Sequence, residues 1–158
     1  MEIITNNEVQ MQELGKAVAR VLEEKDSVYL IGDLGVGKTT LARGIVRGLG
    51  YQGRVNSPTF TIMNIYQSNP VVYHLDFYRL SSNDIFDLGL NDYIGRNGIS
   101  IIEWPESGEN VLPEEALIIH IYLIDDDYQR ERLVRISAQG EHYLQKIKEL
   151  GKIVGTGS

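Results

Sequence analysis

No cysteine occurs among the 158 residues, and there is a single tryptophan. The missing thiols remove disulfides, thiolate nucleophiles and zinc-thiolate centres together, and they fit a reducing compartment. Long apolar runs are lacking too, since none approaches the roughly 18 residues that a membrane span needs. The opening "MEIITNNEVQMQELGKAV" carries acids and amides where a secretion signal needs basic residues before an unbroken apolar stretch. The expectation is a cytoplasmic protein with no membrane association. Positive charge is scarce: 15 Lys and Arg stand against 22 Asp and Glu, for a net charge of −7 and a pI near 4.9. A field of that sign repels phosphate backbones, which disfavours direct binding of tRNA or DNA by this chain alone. The three histidines, His74, His120 and His142, fall at unlike spacings, give no metal pattern and read as structural.

What is present is a chain 42% hydrophobic, long enough for one well-buried core and too short for two. Helix and strand patterns alternate along it. Leu14, Ala17, Val18, Val21 and Leu22 share a face at helical spacing, predicting a helix over 7–24 capped by Asn6 or Asn7. "SVYLI" at 27–31 is a short apolar run with the mark of a strand buried on both faces. Helical spacing returns from Thr39 through Leu41, Ala42, Ile45, Val46 and Leu49, and stops at Gly48 and Gly50. "TFTIMNIYQ" (59–67) and "VVYHLDFYRL" (71–80) predict a hairpin, "SSNDIFDLGLNDYIG" one or two short helices, and "ISIIEW" (99–104) another buried strand. "ALIIHIYLI" (116–124) and "RLVRISAQ" (132–139) form a second hairpin around "DDDYQRE", and a last helix covers 141–150. The expected architecture is α/β, a mixed parallel and antiparallel sheet with helices on its faces. One domain fills 1–154, with 155–158 as a disordered tail.

The chemistry begins at "GDLGVGKT", Gly32 to Thr39, which matches G-x-x-x-x-G-K-[ST]. Phosphate needs several backbone N–H groups at close range, and glycines at 32, 35 and 37 allow that approach. The helix that follows aims its N-terminal donors and dipole at the same anion. Asp33, Leu34, Gly35, Val36, Gly37, Lys38, Thr39 and Thr40 are therefore the candidate nucleotide cradle. Lys38 supplies the positive charge among the phosphates, and the Thr39 hydroxyl is a ligand for Mg²⁺. A chance glycine-rich turn is the plain alternative, and the preceding strand and following helix weigh against it.

A P-loop that hydrolyses also needs acids near the carboxyl ends of neighbouring strands. Glu103 ends "ISIIE" and Asp76 ends "VVYHLD", and these two are the candidate catalytic acids alongside Lys38, with Glu103 joining Thr39 at the metal. Asp125, Asp126 and Asp127 read as a solvated turn and are left out. Ser57, Pro58 and Thr59 fit ordinary turn chemistry and, equally, a switch segment that senses the terminal phosphate. Trp104, beside Glu103, suits either site packing or a core role.

Taken in order, "GDLGVGKTT", "SPTF", "HLDFYRL" and "IIEW" resemble the bacterial TsaE family of small ATPases, formerly YjeE, which take part in making N6-threonylcarbamoyladenosine on tRNA. The resemblance implies a single-domain P-loop NTPase, ATP or ADP with Mg²⁺ as ligands, and the TsaB and TsaD proteins as partners, with tRNA reached only through them. It places Lys38 and Thr39 at phosphate and metal, Ser57 and Thr59 in the switch-like segment, and Asp76 and Glu103 as the acids of hydrolysis. Alanine is more usual in that family where this chain has Val36, whose side chain is expected to face away from the phosphates.

Two other functions share the loop. A small-molecule kinase needs an acceptor pocket and an arginine-bearing lid, and Arg130, Arg132 and Arg135, in and after a hairpin turn, suit a lid poorly. A nucleotide-gated adaptor needs binding but no turnover. No N-K-x-D motif for guanine is present. No arginine stands at an evident position for the terminal phosphate, with Arg79 the nearest candidate by sequence.

Overall fold

The computed structural model describes residues 1–155. Of the tail expected at 155–158, Gly155 is the C-cap of the last helix, and the other three residues lie outside the described residues.

Among the described residues, four helices and seven strands run in the order β1 (Glu2–Thr5), α1 (Glu8–Ala19), β2 (Ser27–Ile31), α2 (Lys38–Gly48), β3 (Met63–Tyr66), β4 (Val72–Asp76), α3 (Ser82–Asp87), β5 (Ile99–Glu103), β6 (Ala116–Ile124), β7 (Asp127–Gln139) and α4 (Glu141–Val154). Short 3₁₀ turns occupy Leu90–Asp92 and Pro105–Gly108. The strands form one sheet in the order β1-β7-β6-β2-β5-β4-β3. Its centre is parallel, β2 pairing with both β5 and β6 and β4 with β5, while β3, β7 and β1 join antiparallel. The mixed sheet expected from the sequence is present, with helices on its faces.

Alternation along the central strands divides the core. Val28, Leu30, Ile101 and Ile119 face α1, α2 and α4, whereas Tyr29, Leu75 and Ile102 face α3 and the chain around Leu90 and Ile94. Two parallel pairings then fix the geometry at the carboxyl ends. Leu30 stands opposite Glu103, and Glu103 stands opposite Asp76. The loop leaving β2 and the two acids therefore meet at one edge of the sheet.

Helix α1 lies against α2 with almost no side chain between them. A Cβ on Gly15 would stand 2.5 Å from the Leu41 carbonyl oxygen, and one on Gly44 would collide with the backbone of Gln12. Glycine is what lets the two backbones come this close.

Several boundaries differ from the sequence reading. The strand β1 was not anticipated; it is only four residues long and is held by β7 rather than by its own pattern. Helix α1 stops at Ala19 because the next residues turn toward β2, although Val21 and Leu22 remain buried and so keep the helical-looking periodicity. The 59–67 run is strand only from Met63 to Tyr66, since Ile62 takes a left-handed backbone (φ 68°) and its amide bonds back to Pro58. In the second hairpin Asp125 and Asp126 alone make the left-handed turn, and Asp127 already belongs to β7.

Candidate functional site

Gly37 precedes α2 with φ 123°, a conformation that requires glycine, and lets the chain swing from the loop straight into the helix. Lys38, Thr39 and Thr40 form the first turn of α2. The loop, this turn and the sheet edge enclose a cavity lined by Leu34, Gly35, Gly37, Lys38, Thr39, Thr40, Ser57, Thr59, Asp76, Glu103 and Trp104. Nearly all the residues singled out in the sequence thus come together. Two do not line it. The Val36 side chain is buried in the core, facing away from the cavity as expected, and Asp33 borders a neighbouring cavity with Trp104, Glu106 and His120.

The charged groups inside are tightly interlinked. Glu103 is 4% exposed and accepts hydrogen bonds from Thr39 Oγ1 at 3.3 Å and His74 Nε2 at 2.7 Å. Asp76 accepts from Thr59 Oγ1 at 3.3 Å and from the Tyr78 amide at 2.9 Å. The hydroxyls of Ser57 and Thr59 lie 2.6 Å apart, so the whole "SPT" turn hangs from Asp76. The Lys38 ammonium donates to the Gly32 carbonyl at 2.5 Å and sits 3.7 Å above the Trp104 ring. Burial lowers the Lys38 pKa, while the nearby carboxylates of Glu103 and Asp76 oppose that shift. A buried cation with one carbonyl and one aromatic face as partners is under-solvated, and an incoming anion relieves it. Thr39 and Glu103 offer hydroxyl and carboxylate oxygens side by side, hard donors of the kind Mg²⁺ takes.

On the other flank of the loop a second cavity is lined by residues of three segments, among them Thr5, Asn6, Asn7, Gly35, Tyr128 and Arg132. The hairpin grips the loop here. Arg132 Nε donates to the Val36 carbonyl at 2.9 Å, and the Tyr128 hydroxyl to that of Leu34 at 2.9 Å. Asn7 is the helix cap, its side chain accepting from the Gln10 amide at 2.9 Å.

One sequence reading gains a contact and two need correction. The hairpin arginines suit a lid poorly, and Arg132 instead reaches the P-loop because β7 runs alongside β6, which neighbours β2. No local signal marks this. Arg79 stands over the exposed Phe60 ring, 5.2 Å from its centroid, and does not line the cavity. His74 is a neighbour of Glu103 rather than a plain core residue. The signal for it was available: in "VYHLD" it lies two residues before Asp76, on the same face of the strand.

Comparison with known proteins identifies the family. A family profile described as "Threonylcarbamoyl adenosine biosynthesis protein TsaE" matches residues 5–133. The chain belongs to the TsaE family. Among TsaE relatives named as tRNA threonylcarbamoyladenosine biosynthesis proteins, that of Haemophilus influenzae is 40% identical over 136 residues, covering 80% of this chain and 86% of its own. That of Bacillus subtilis is 38% identical over 149 residues, covering 94% and 92%. The crystal structure of Bacillus subtilis YdiB superposes with a TM-score of 0.82 at 33% identity, covering 97% of this chain and 95% of that one. The profile and the Bacillus TsaE match extend across both flanks of the P-loop.

Proposed function

We propose that this protein binds Mg²⁺ with ATP or ADP at its P-loop and hydrolyses ATP as the ATPase subunit in the making of N6-threonylcarbamoyladenosine on tRNA. The observation that carries the reading is the meeting of Lys38, Thr39, Asp76 and Glu103 in one cavity beside the "SPT" turn. The family's role in threonylcarbamoyladenosine biosynthesis supplies the pathway. In this reading the loop amides and the α2 N-terminus hold the phosphates, and Lys38 exchanges the Gly32 carbonyl for phosphate oxygens. Thr39 and Glu103 hold the metal, which when bound neutralises charge on the phosphate oxygens. Asp76, anchored by the Tyr78 amide, orients the attacking water, and the Ser57–Thr59 turn shifts with the state of the terminal phosphate. The nucleoside end takes the flanking cavity between Asn6 and Arg132, which shares Gly35, Gly37 and Thr40 with the first.

Partners complete the reading. Leu34, Phe60 and Tyr78 are exposed apolar side chains, the first lining the cavity, the second next to Thr59, and the third packed against Trp104 at a tilt, 4.8 Å between centroids. Such side chains around a phosphate site suit a docking face for TsaB and TsaD, and the acidic net charge leaves tRNA to those partners. Among the described residues, no arginine lines the Lys38–Glu103 cavity. A cation supplied in trans can raise turnover by about 10³ to 10⁵, and a partner that orders the turn can raise it by assembling the site.

The test is phosphate release from ATP with and without TsaB and TsaD and with no acceptor added. Slow release that rises steeply with the partners is expected, and Glu103→Gln and Asp76→Asn should lose turnover while still binding nucleotide. Equal rates with and without partners would refute the partner-driven reading. Unimpaired tRNA modification by a hydrolysis-dead variant would leave a nucleotide-gated adaptor.

A further inference from the structure

We propose that His74 is a positioning residue that fixes the Glu103 carboxylate, through an Nε2–H donated to Oε2, so that the carboxylate is presented to the metal beside Thr39. The inference rests on the reading of Glu103 as a metal-holding residue.

Several observations point the same way. The His74 side chain is wholly buried in the middle of β4, where an apolar residue would fill the space at less cost. Its one hydrogen-bond contact is to the site carboxylate, and at 2.7 Å it is shorter than the 3.3 Å contact from Thr39. The other ring nitrogen, Nδ1, is buried with no partner. A proton there would leave a buried N–H unpaired, and a proton missing from Nε2 would set a lone pair against a carboxylate oxygen. Both penalties are avoided by the neutral ring protonated at Nε2, the donor form.

Backbone register explains why the contact is fixed. Asp76 stands opposite Glu103, and His74 stands opposite Ile101, so His74 lies one step back on the same face of two hydrogen-bonded parallel strands. The imidazole cannot swing away without leaving the core. Thr39 differs, because its hydroxyl would serve the metal in the loaded site instead of the carboxylate. His74 is then the donor that keeps the carboxylate plane in place.

Glutamine and asparagine separate this role from packing, since a Gln amide reaches the position of Nε2 and an Asn amide falls short of it. His74→Gln, His74→Asn and His74→Leu are compared by Mn²⁺ binding in the presence of ADP, read by electron paramagnetic resonance. ADP affinity in EDTA serves as the metal-free measurement. Loss of an outer hydrogen-bond partner weakens metal binding by about tenfold to a hundredfold. The Asn and Leu variants should lose that much and Gln about threefold or less, with ADP affinity in EDTA unchanged in all three. Should Leu fail to fold, the contrast between Gln and Asn decides alone. The proposal is overturned if Asn binds Mn²⁺ as the wild type does, or if Gln loses as much as Asn. It also falls if the wild type shows no Mn²⁺ binding with ADP, a result that removes the metal role of Glu103 itself, whereas wild-type binding with indifferent variants removes only the role of His74.

Discussion

Arg132 on β7 donates from Nε to the carbonyl oxygen of Val36, joining the strand to a P-loop residue 96 positions earlier at 2.9 Å. The same guanidinium donates to the carbonyls of Arg130 at 2.6 Å and Tyr128 at 3.2 Å, so one planar fork ties the hairpin turn to the loop. A hydrogen bond from a charged group contributes about 1.5–3 kcal/mol. Arg132→Ala should therefore weaken ADP binding roughly tenfold or more by calorimetry, through a loosened loop. Arg132→Lys should recover only part of this, because an ammonium cannot span three carbonyls. Full affinity in the alanine variant would show that the loop holds its shape unaided.

Lys38 and Trp104 give an optical signal. The tryptophan is the only one in the chain, and the ammonium sits on its ring. Phosphate that draws Lys38 off the ring should change Trp104 emission on titration with Mg–ADP. Lys38→Met should abolish the change at the same nucleotide concentrations. An unaltered spectrum at saturation, with binding confirmed by calorimetry, would mean the lysine keeps its place.

How far the site was legible follows from the kinds of contact that build it. Lys38, Thr39, Asp76 and Glu103 were readable because a strand pattern puts its last residue at the sheet edge, and the glycine loop says which edge matters. Arg132 and Tyr128 were not, since their contacts depend on the order of strands in the sheet, which no local pattern encodes. The fold was readable where strands are apolar on both faces, as in "SVYLI" and "ISIIE". It was not at β1, whose four residues are strand because β7 supplies the partner.

A pH test concerns the far end of the molecule. Lys146 on α4 donates to Glu23 at 2.8 Å, and His142 contacts the buried Asp26 at 2.7 Å, pinning α4 to the turn before β2. The Lys146 ammonium holds the Glu23 carboxyl below its usual range. A depressed carboxyl stabilises the fold above its unfolded pKa of about 4.3, and that contribution is lost as pH falls through the lower folded value. Glu23 is 59% exposed at its side chain, so solvent limits the gain to about 1 kcal/mol or less. Glu23→Gln should cost up to that amount in urea denaturation at pH 7, and the gap to wild type should close in acid. A gap of constant size across the pH range would count against the ion pair as its source.

Two glycines should respond in opposite directions to alanine. Gly44 has the backbone of Gln12 where a Cβ would go, so Gly44→Ala should cost about 1–3 kcal/mol and lower the melting temperature by about 3–10 °C. Gly151, inside α4, has only the Met1 methyl at 3.6 Å, an ordinary contact. Gly151→Ala should raise stability by about 0.5–1 kcal/mol. Calorimetric melting of the two variants reads both signs.

The bare contact between α1 and α2 also determines what can travel. Sliding one helix past the other by a single residue would bring Lys16 or Arg43 to slots shaped for a hydrogen atom, so the two helices behave as one solid piece. Whatever pulls on the P-loop pulls on α1 with it, and little is absorbed in between. The "SPT" turn has no such interlock: it is held by the Thr59 hydroxyl on Asp76, with Ser57 bonded to Thr59, and by the Ile62 amide on the Pro58 carbonyl. Within one small sheet, the molecule thus joins an anvil to a spring.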